Sequence, residues 1–298
     1  MAAAETETEF GRAGTKKART REVVFNLLRQ HEAEDGGIPT SGRFVFDELE
    51  QRGEATKPSP SDKRSNKRRS KGWPPGAQDV TDGLTWLREQ GLIPWAWIED
   101  ETRTVTVWRY AETVGLYLLD TVATAQINPW DAAPPLILTE SRATAGVLKH
   151  AVAAEYLCPI AGTAGQAAGF LRTEVAPLLE GNDRHVLYLG DLDRSGADIE
   201  ANTRSVLERA TGRGIDWRRL GMTEAQAAER GIEPILKVDG RDHKRHEAIE
   251  VEALGQSAVV ELVRDALDEL LPEPLSDVRE RERVQRVATA KLLNGEQQ

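Results

Sequence analysis

Two patterns of apolar and polar positions divide the chain. In the first, apolar residues recur at helical spacing. From Lys16 to about Glu32, Val23, Val24, Leu27 and Leu28 fall at i, i+1, i+4 and i+5, which predicts a helix with one apolar face. GGIPTSG breaks it, and Arg43 to Arg52 resumes as a short helix. Residues 79–90, DVTDGLTWLREQ, form a third amphipathic helix. GLIPWAWIEDETRTVTVWRY then alternates as a hairpin does, with Ile93, Trp95 and Trp97 on one arm, Thr104 to Trp108 on the other, and a turn near Asp100–Arg103.

From Pro134 the pattern changes. The apolar runs PLILTE, YLCPIAG, HVLYLGD and EPILKV read as strands, separated by helical stretches such as ATAGVLKHAVAAE, GQAAGFLRTEVAPLLE and GADIEANTRSVLERA. VVELVRDALDELL and a last helix near Glu280 to Leu293 close the chain. Short apolar strands alternating with helices predict an α/β fold whose parallel sheet is covered on both faces. The N-terminal order, three helices and a small hairpin, is that of a winged helix, a module that sets a helix into a DNA groove. The expected organisation is a disordered tail at 1–15, a winged-helix domain at 16–125 and an α/β domain at 126–298.

Within the first domain, residues 53–78 are rich in Pro, Ser, Gly and charge and predict a flexible loop. Lys63, Arg64, Lys67, Arg68, Arg69 and Lys71 crowd into it without an acid among them, as a solvated linker or as an arm that contacts phosphates. The net charge of −10 argues against nucleic acid, but it is unevenly spread: residues 1–110 hold 18 Lys and Arg against 18 Asp and Glu, so the excess acid lies later. One cysteine, Cys158, excludes an internal disulfide and a thiolate cluster. Neither a membrane span nor a secretory signal is visible, so the expected location is cytoplasmic.

The candidate chemistry sits where strands end. Asp191 and Asp193 follow HVLYLG; in an extended chain they point to the same side, about 7 Å apart. Glu140 ends PLILTE. Carboxylates held close repel unless a cation or proton intervenes, and three at the top of a parallel sheet suit a hard divalent ion, Mg2+ or Mn2+. Gly190 and Gly196 allow tight turns there. Asp-x-Asp also occurs in haloacid-dehalogenase-type phosphatases and sugar-nucleotide transferases, but here the pair follows the third strand of its unit rather than the first. GTAGQAAG (162–169) lacks the dinucleotide-binding spacing.

Glu140 and Asp191 stand 51 residues apart, and with LGDLDRSGADI, LTESRATAGVL and VEALGQSAVVELV they resemble the Toprim domain of the topoisomerase VI A-subunit family. RTREVVFNLL resembles that family's winged-helix segment, and TWLREQGLIPWAWIEDETR a segment of its short stand-alone bacterial and phage relatives (Mini-A-like). The resemblance implies metal ligation by Glu140, Asp191 and Asp193, catalytic roles for Glu140 and Arg21, a homodimer acting on DNA near the nucleoid, and a separate ATPase partner for any strand passage. One position departs: Arg21 is followed four residues later by Phe25 where the family has its nucleophilic tyrosine. Phenylalanine cannot form a phosphodiester adduct, so water would be the nucleophile and a hydrolytic nuclease is favoured. Topoisomerase-type breakage with Tyr110 or Tyr117 as substitute, and a binding protein without catalysis, stay open. Tyr156 and Tyr188 are expected in strands. Secondary candidates are Lys237 and RDHKRH (241–246) as a basic patch, Asp239 as a turn or outer acid, Glu250 or Glu252 as support to the metal site, and His243 and His246 as surface residues.

Overall fold

A computed structural model describes residues 7–57, 72–99, 107–165, 168–238 and 244–295. Its centre is a four-stranded parallel sheet of β5 (Leu136–Thr139), β6 (Ile160–Gly162), β7 (Val186–Leu189) and β8 (Trp217–Gly221), in the order β6-β5-β7-β8. Both middle strands are buried throughout. Alternate residues face opposite ways and build two cores. Ile137, Leu187 and Leu189 pack with α5 (Arg142–Leu148, running on through a π turn to Tyr156) and α9 (Gln256–Asp268). Leu136, Leu138, Val186 and Tyr188 pack with the helical stretch α6 (Ala168–Phe170, a π turn, Ala176–Leu179) and with α7 (Arg194–Thr211). The α/β expectation with a doubly covered parallel sheet is therefore met.

The chain steps outward from β5 to β6, then returns past β5 to β7. Successive connections leave β5 and β7 toward opposite faces, so a crevice opens between their carboxyl ends, where ligands of such sheets gather.

The fourth strand corrects the sequence reading. Trp217–Gly221 joins the sheet, whereas beyond α8 (Glu224–Arg230) Ile235–Val238 (β9) leaves it and pairs antiparallel with Arg245–Ala248 (β10). WRRLG sets two arginines between Trp217 and Leu220, and so lacks the continuous apolar run of a buried strand. This ribbon matters to the site: Leu192 and Ile249 exchange backbone hydrogen bonds, N–H to O at 2.8 and 3.1 Å, and lay the segment after β10 against the turn after β7.

The N-terminal helices α1 (Lys16–Asp35), α2 (Gly42–Gln51) and α3 (Ala77–Glu89) enclose a core of Val24, Leu27, Leu28, Val45, Phe46, Leu49, Val80, Leu84 and Leu87. Thr15 caps α1 and Ser41 caps α2, each accepting a backbone N–H. Two expectations change here. Residues 7–15 are not a disordered tail: Glu7–Thr8 (β1) pairs with Gly11–Arg12 (β2), and Phe10 packs on Phe25 at 5.4 Å between ring centroids. The first arm of the expected hairpin begins as a 3-10 turn, Trp95–Trp97, and continues as Ile98–Glu99 (β4), which pairs parallel with Thr40–Ser41 (β3). Most of the second arm, and the turn, lie outside the described residues.

Helix α4 (Val114–Thr124) lies with the last helix, α10 (Leu275–Leu293); Glu282 accepts the Ile127 N–H at 2.8 Å just beyond α4. No helix among the described residues is long and apolar enough to cross a membrane.

Candidate metal centre

Glu140 and Asp191 meet at the β5–β7 crevice. The Glu140 N–H donates to Leu189 O at 2.8 Å, which fixes the end of β5 against β7, and the Asp191 N–H donates to Glu140 Oε2 at 3.2 Å. Asp193 caps α7, accepting the Gly196 N–H at 2.6 Å. A Cβ on Gly196 would overlap the Asp191 carbonyl oxygen and stand 3.3 Å from Glu140 Oε2. The glycine is what lets the helix start press against the acidic turn.

The ribbon then adds acids that the sequence reading held only as secondary candidates. Both Glu250 and Glu252 are buried here. The Val251 N–H between them donates to Asp191 Oδ1 at 3.1 Å, and Thr144 donates its hydroxyl to Glu252 Oε1 at 2.7 Å. Asp47 and Glu50 of α2 arrive from the N-terminal helices and were missed altogether. Asp47, Glu50 and Glu250 bring oxygens within 4.8 Å of one another, an arrangement able to hold a metal ion. Among the described residues this is the group of three acids that meets such a span; Glu140, Asp191 and Asp193 do not form one of that compactness. A cavity of about 410 Å³ opens over the centre, lined by Arg43, Asp47, Glu140, Arg142, Asp191, Glu250 and Glu252 among others.

Two ammonium groups stand among these acids. Lys237 Nζ lies 2.7 Å from Glu250 Oε1, 3.6 Å from Asp191 Oδ2 and 3.8 Å from Asp193 Oδ2. Lys57 Nζ pairs with Glu250, with Glu50 at 2.6 Å and with Asp47 at 3.6 Å. The sequence makes Lys237 part of a basic patch, in contact with phosphate or merely solvated; in space its neighbours are these acids. Arg43 pairs with Asp47.

Among the described residues, charge does not balance. Ionised throughout, Asp47, Glu50, Glu140, Asp191, Asp193, Glu250 and Glu252 would place seven negative charges against three paired with them, on Arg43, Lys57 and Lys237. The proton affinities follow. Burial, with Glu250 and Glu252 beside it, pushes the Asp47 carboxyl up to about 8. Burial and the charge of Glu252, Glu140 and Glu250 hold Asp191 well above the usual range. Burial raises Glu140 too, with Asp193 and Glu252 adding to it. Glu250 goes the other way: burial opposes its ionisation, but Lys57 and Lys237 outweigh that and hold it low.

A stability test follows. Carboxyls raised in the folded chain bind protons that the unfolded chain has already released, so stability falls as pH rises from the ordinary carboxyl range, near 4, to about 8 for Asp47. Each such proton is worth about 1.4 kcal/mol per pH unit. The opposite contribution of Glu250 is lost only on acidification below that window. In chelator, the melting temperature is expected to decline between pH 5 and 8, and a divalent cation is expected to flatten the decline. A chelator series flat across that range would remove the charge imbalance.

The other sequence candidates lie elsewhere. Arg21 is not at this centre: its guanidinium stacks 3.8 Å over Trp86 and donates to Phe10 O at 2.9 Å. Phe25 packs in the N-terminal core. Tyr156 ends a helix rather than a strand and donates to Asp268 at 2.6 Å; Tyr188 lies in β7, fully buried. Tyr110 and Tyr117 are exposed. Lys63, Arg64, Lys67, Arg68, Arg69, Lys71, Asp239 and His243 fall outside the described residues. His246 is on β10, against Lys237 in register.

Compared with known proteins, the chain matches no family model, no curated protein and no solved structure.

Proposed function

We propose that the chain binds DNA and cuts its phosphodiester backbone by hydrolysis, with Glu140, Asp191 and Asp193 holding a Mg2+ or Mn2+ ion, in a winged-helix plus Toprim arrangement. The observation that carries this reading is the meeting of Glu140 and Asp191 at the β5–β7 crevice, with Asp193 beside them and a surplus of buried negative charge around them. Carboxylate oxygens are the donors that Mg2+ takes. Such an ion, when bound, would neutralise phosphate charge and lower the pKa of a bound water.

The chain's own residues then have distinct tasks. Glu140, with its raised proton affinity, is suited to pass a proton to or from the reacting oxygens. Arg43 and Arg142 line the cavity and offer planar guanidinium groups to phosphate oxygens. The cations at 63–71 extend the same attraction along the backbone. Water replaces the missing tyrosine, because Phe25 has no oxygen to attack with. A homodimer would set two centres against opposite strands, and strand passage would require a separate ATPase partner. This activity belongs in the cytoplasm, at the nucleoid.

The test is incubation of the full chain with supercoiled plasmid and Mg2+ or Mn2+, beside Glu140→Ala and Asp191→Ala, with products run before and after protease. Nicked or linear DNA with free ends, lost in both variants, is expected. Ends that carry protein would overturn hydrolysis in favour of a tyrosine nucleophile. Retained DNA binding without cleavage in either metal would make this a binding protein.

A further inference from the structure

Asp47 and Glu50 lie at i and i+3 on α2 and so share a face. Glu250 comes to that face from the segment after β10. Asp47 and Glu250 are each only 4% exposed, yet Asp47 Oδ1 and Glu250 Oε2 have no hydrogen-bond partner. Buried carboxylate oxygens without a donor are costly, so a group that fills them is called for. The only cation reaching all three side chains among the described residues is the Lys57 ammonium, and it stands 3.6 Å from Asp47 Oδ1, beyond hydrogen-bond range. Lys57 keeps 31% of its side chain exposed, so its flexible stem has a path outward to solvent.

Glu250 has a second role. Its Oε1 also takes Lys237, whose ammonium faces Asp191 and Asp193. One carboxylate thus touches two positively charged groups, one on the α2 side and one on the β7 side.

We propose that Glu250 bridges two cation positions, and that Asp47, Glu50 and Glu250 form a second divalent-metal site in which the Lys57 ammonium stands until the metal displaces it. The size fits. Opposite oxygens around Mg2+ lie about 4.2 Å apart and around Ca2+ about 4.6 to 5.2 Å, twice the respective bond lengths. The three oxygens all lie within 4.8 Å of one another, close enough to share a single ion of either kind. The metal adds a second positive charge where the ammonium supplies one, and it leaves Lys57 free to turn toward a bound anion. The α2 site stands on its own residues; only the total of two ions rests on the reading of Glu140, Asp191 and Asp193 given above.

Mn2+ binding to the full chain, followed by calorimetry and by the manganese paramagnetic resonance signal, tests this without recourse to activity. Wild type is expected to take up two ions per chain. Glu50→Gln, which keeps the shape of the side chain, is expected to take up one, and Asp191→Asn to keep the α2 ion while losing the other. Lys57→Met removes the competitor and is expected to tighten the α2 ion at least tenfold. Unchanged stoichiometry and affinity in Glu50→Gln overturns the second site, as does an unaltered affinity in Lys57→Met. Loss of one ion in Glu50→Gln from a chain that never cleaves DNA would leave this site standing and remove only the nuclease reading. Cleavage that proceeds with a single ion, indifferent to Glu50→Gln, would do the reverse.

Discussion

Gly196→Ala is expected to dismantle the acidic turn. The added methyl would overlap the Asp191 carbonyl oxygen and lie 3.1 Å from its carbon, both backbone atoms that cannot rotate away. The helix cannot retreat easily, because Asp193 caps it through the Gly196 N–H itself, and the turn cannot retreat, because Leu192 is bonded to Ile249 on its far side. Overpacking of this kind costs typically 1–3 kcal/mol, and a collision with main chain places it at about 3. At about 2–4 °C per kcal/mol for a chain of this size class, the melting temperature should drop by roughly 6–12 °C. Metal affinity should fall with it, since the movement that relieves the clash carries Asp191 away from Glu140. Gly169→Ala supplies the contrast: nothing lies within 4 Å of a Cβ there, and its helix should gain up to about 1 kcal/mol. Equal melting of the two variants would mean that the turn is not closely packed.

Lys237→Met should be nearly as severe, but only without metal. The substitution keeps the stem and removes the charge that faces Glu250, Asp191 and Asp193. Breaking a buried ion pair from one side costs about 3–5 kcal/mol. Lys237 is a quarter exposed, so solvent screens part of that, and about 2–3 kcal/mol is expected in chelator near neutral pH. Millimolar Mn2+ should restore most of the loss, because the ion supplies the missing charge. At pH 5 the penalty should shrink, as the raised carboxyls take up protons in its place. Urea denaturation with and without Mn2+ measures each of these. If Mn2+ fails to rescue the variant, Lys237 is a permanent counter-ion and the centre is no cation site.

The parts of the fold that could be read from sequence were those whose signal is local. PLILTE and HVLYLGD announce buried parallel strands because their central residues run apolar without alternation, and their ends carry Glu140 and Asp191 wherever the strands lie in space. β8 escaped because its arginines serve structural ends: Arg219 donates to Gly190 O at 2.7 Å and to Asp191 O at 3.0 Å, bracing the very turn that holds the acids. Asp47 and Glu50 escaped for a different reason. FDELEQ is an ordinary amphipathic helix, and docking against the segment after β10 is what brings Asp47 and Glu50 to Glu250. Their spacing of three and the lysine that follows at position 57 were the available hints, and neither is unusual in a solvated helix. Lys237 neighbours RDHKRH in sequence but Glu250, Asp191 and Asp193 in space, a pairing that no local pattern announces.

The contact between the N-terminal helices and the sheet joins these observations. Phe44 and Ile38 reach into the core on the sheet side. The side-chain bonds across are polar: Gln256 donates to Asp35 Oδ2 at 3.0 Å and to Ile38 O at 2.9 Å, Gln51 donates to Glu233 O at 3.0 Å, and Lys57 pairs with Glu250. A junction built this way makes the cooperativity of folding conditional on ionic composition. With its charges matched, the helical layer and the sheet are expected to unfold as one calorimetric unit; with the cation withdrawn and the carboxylates ionised, a separate, earlier transition is expected as the two layers part.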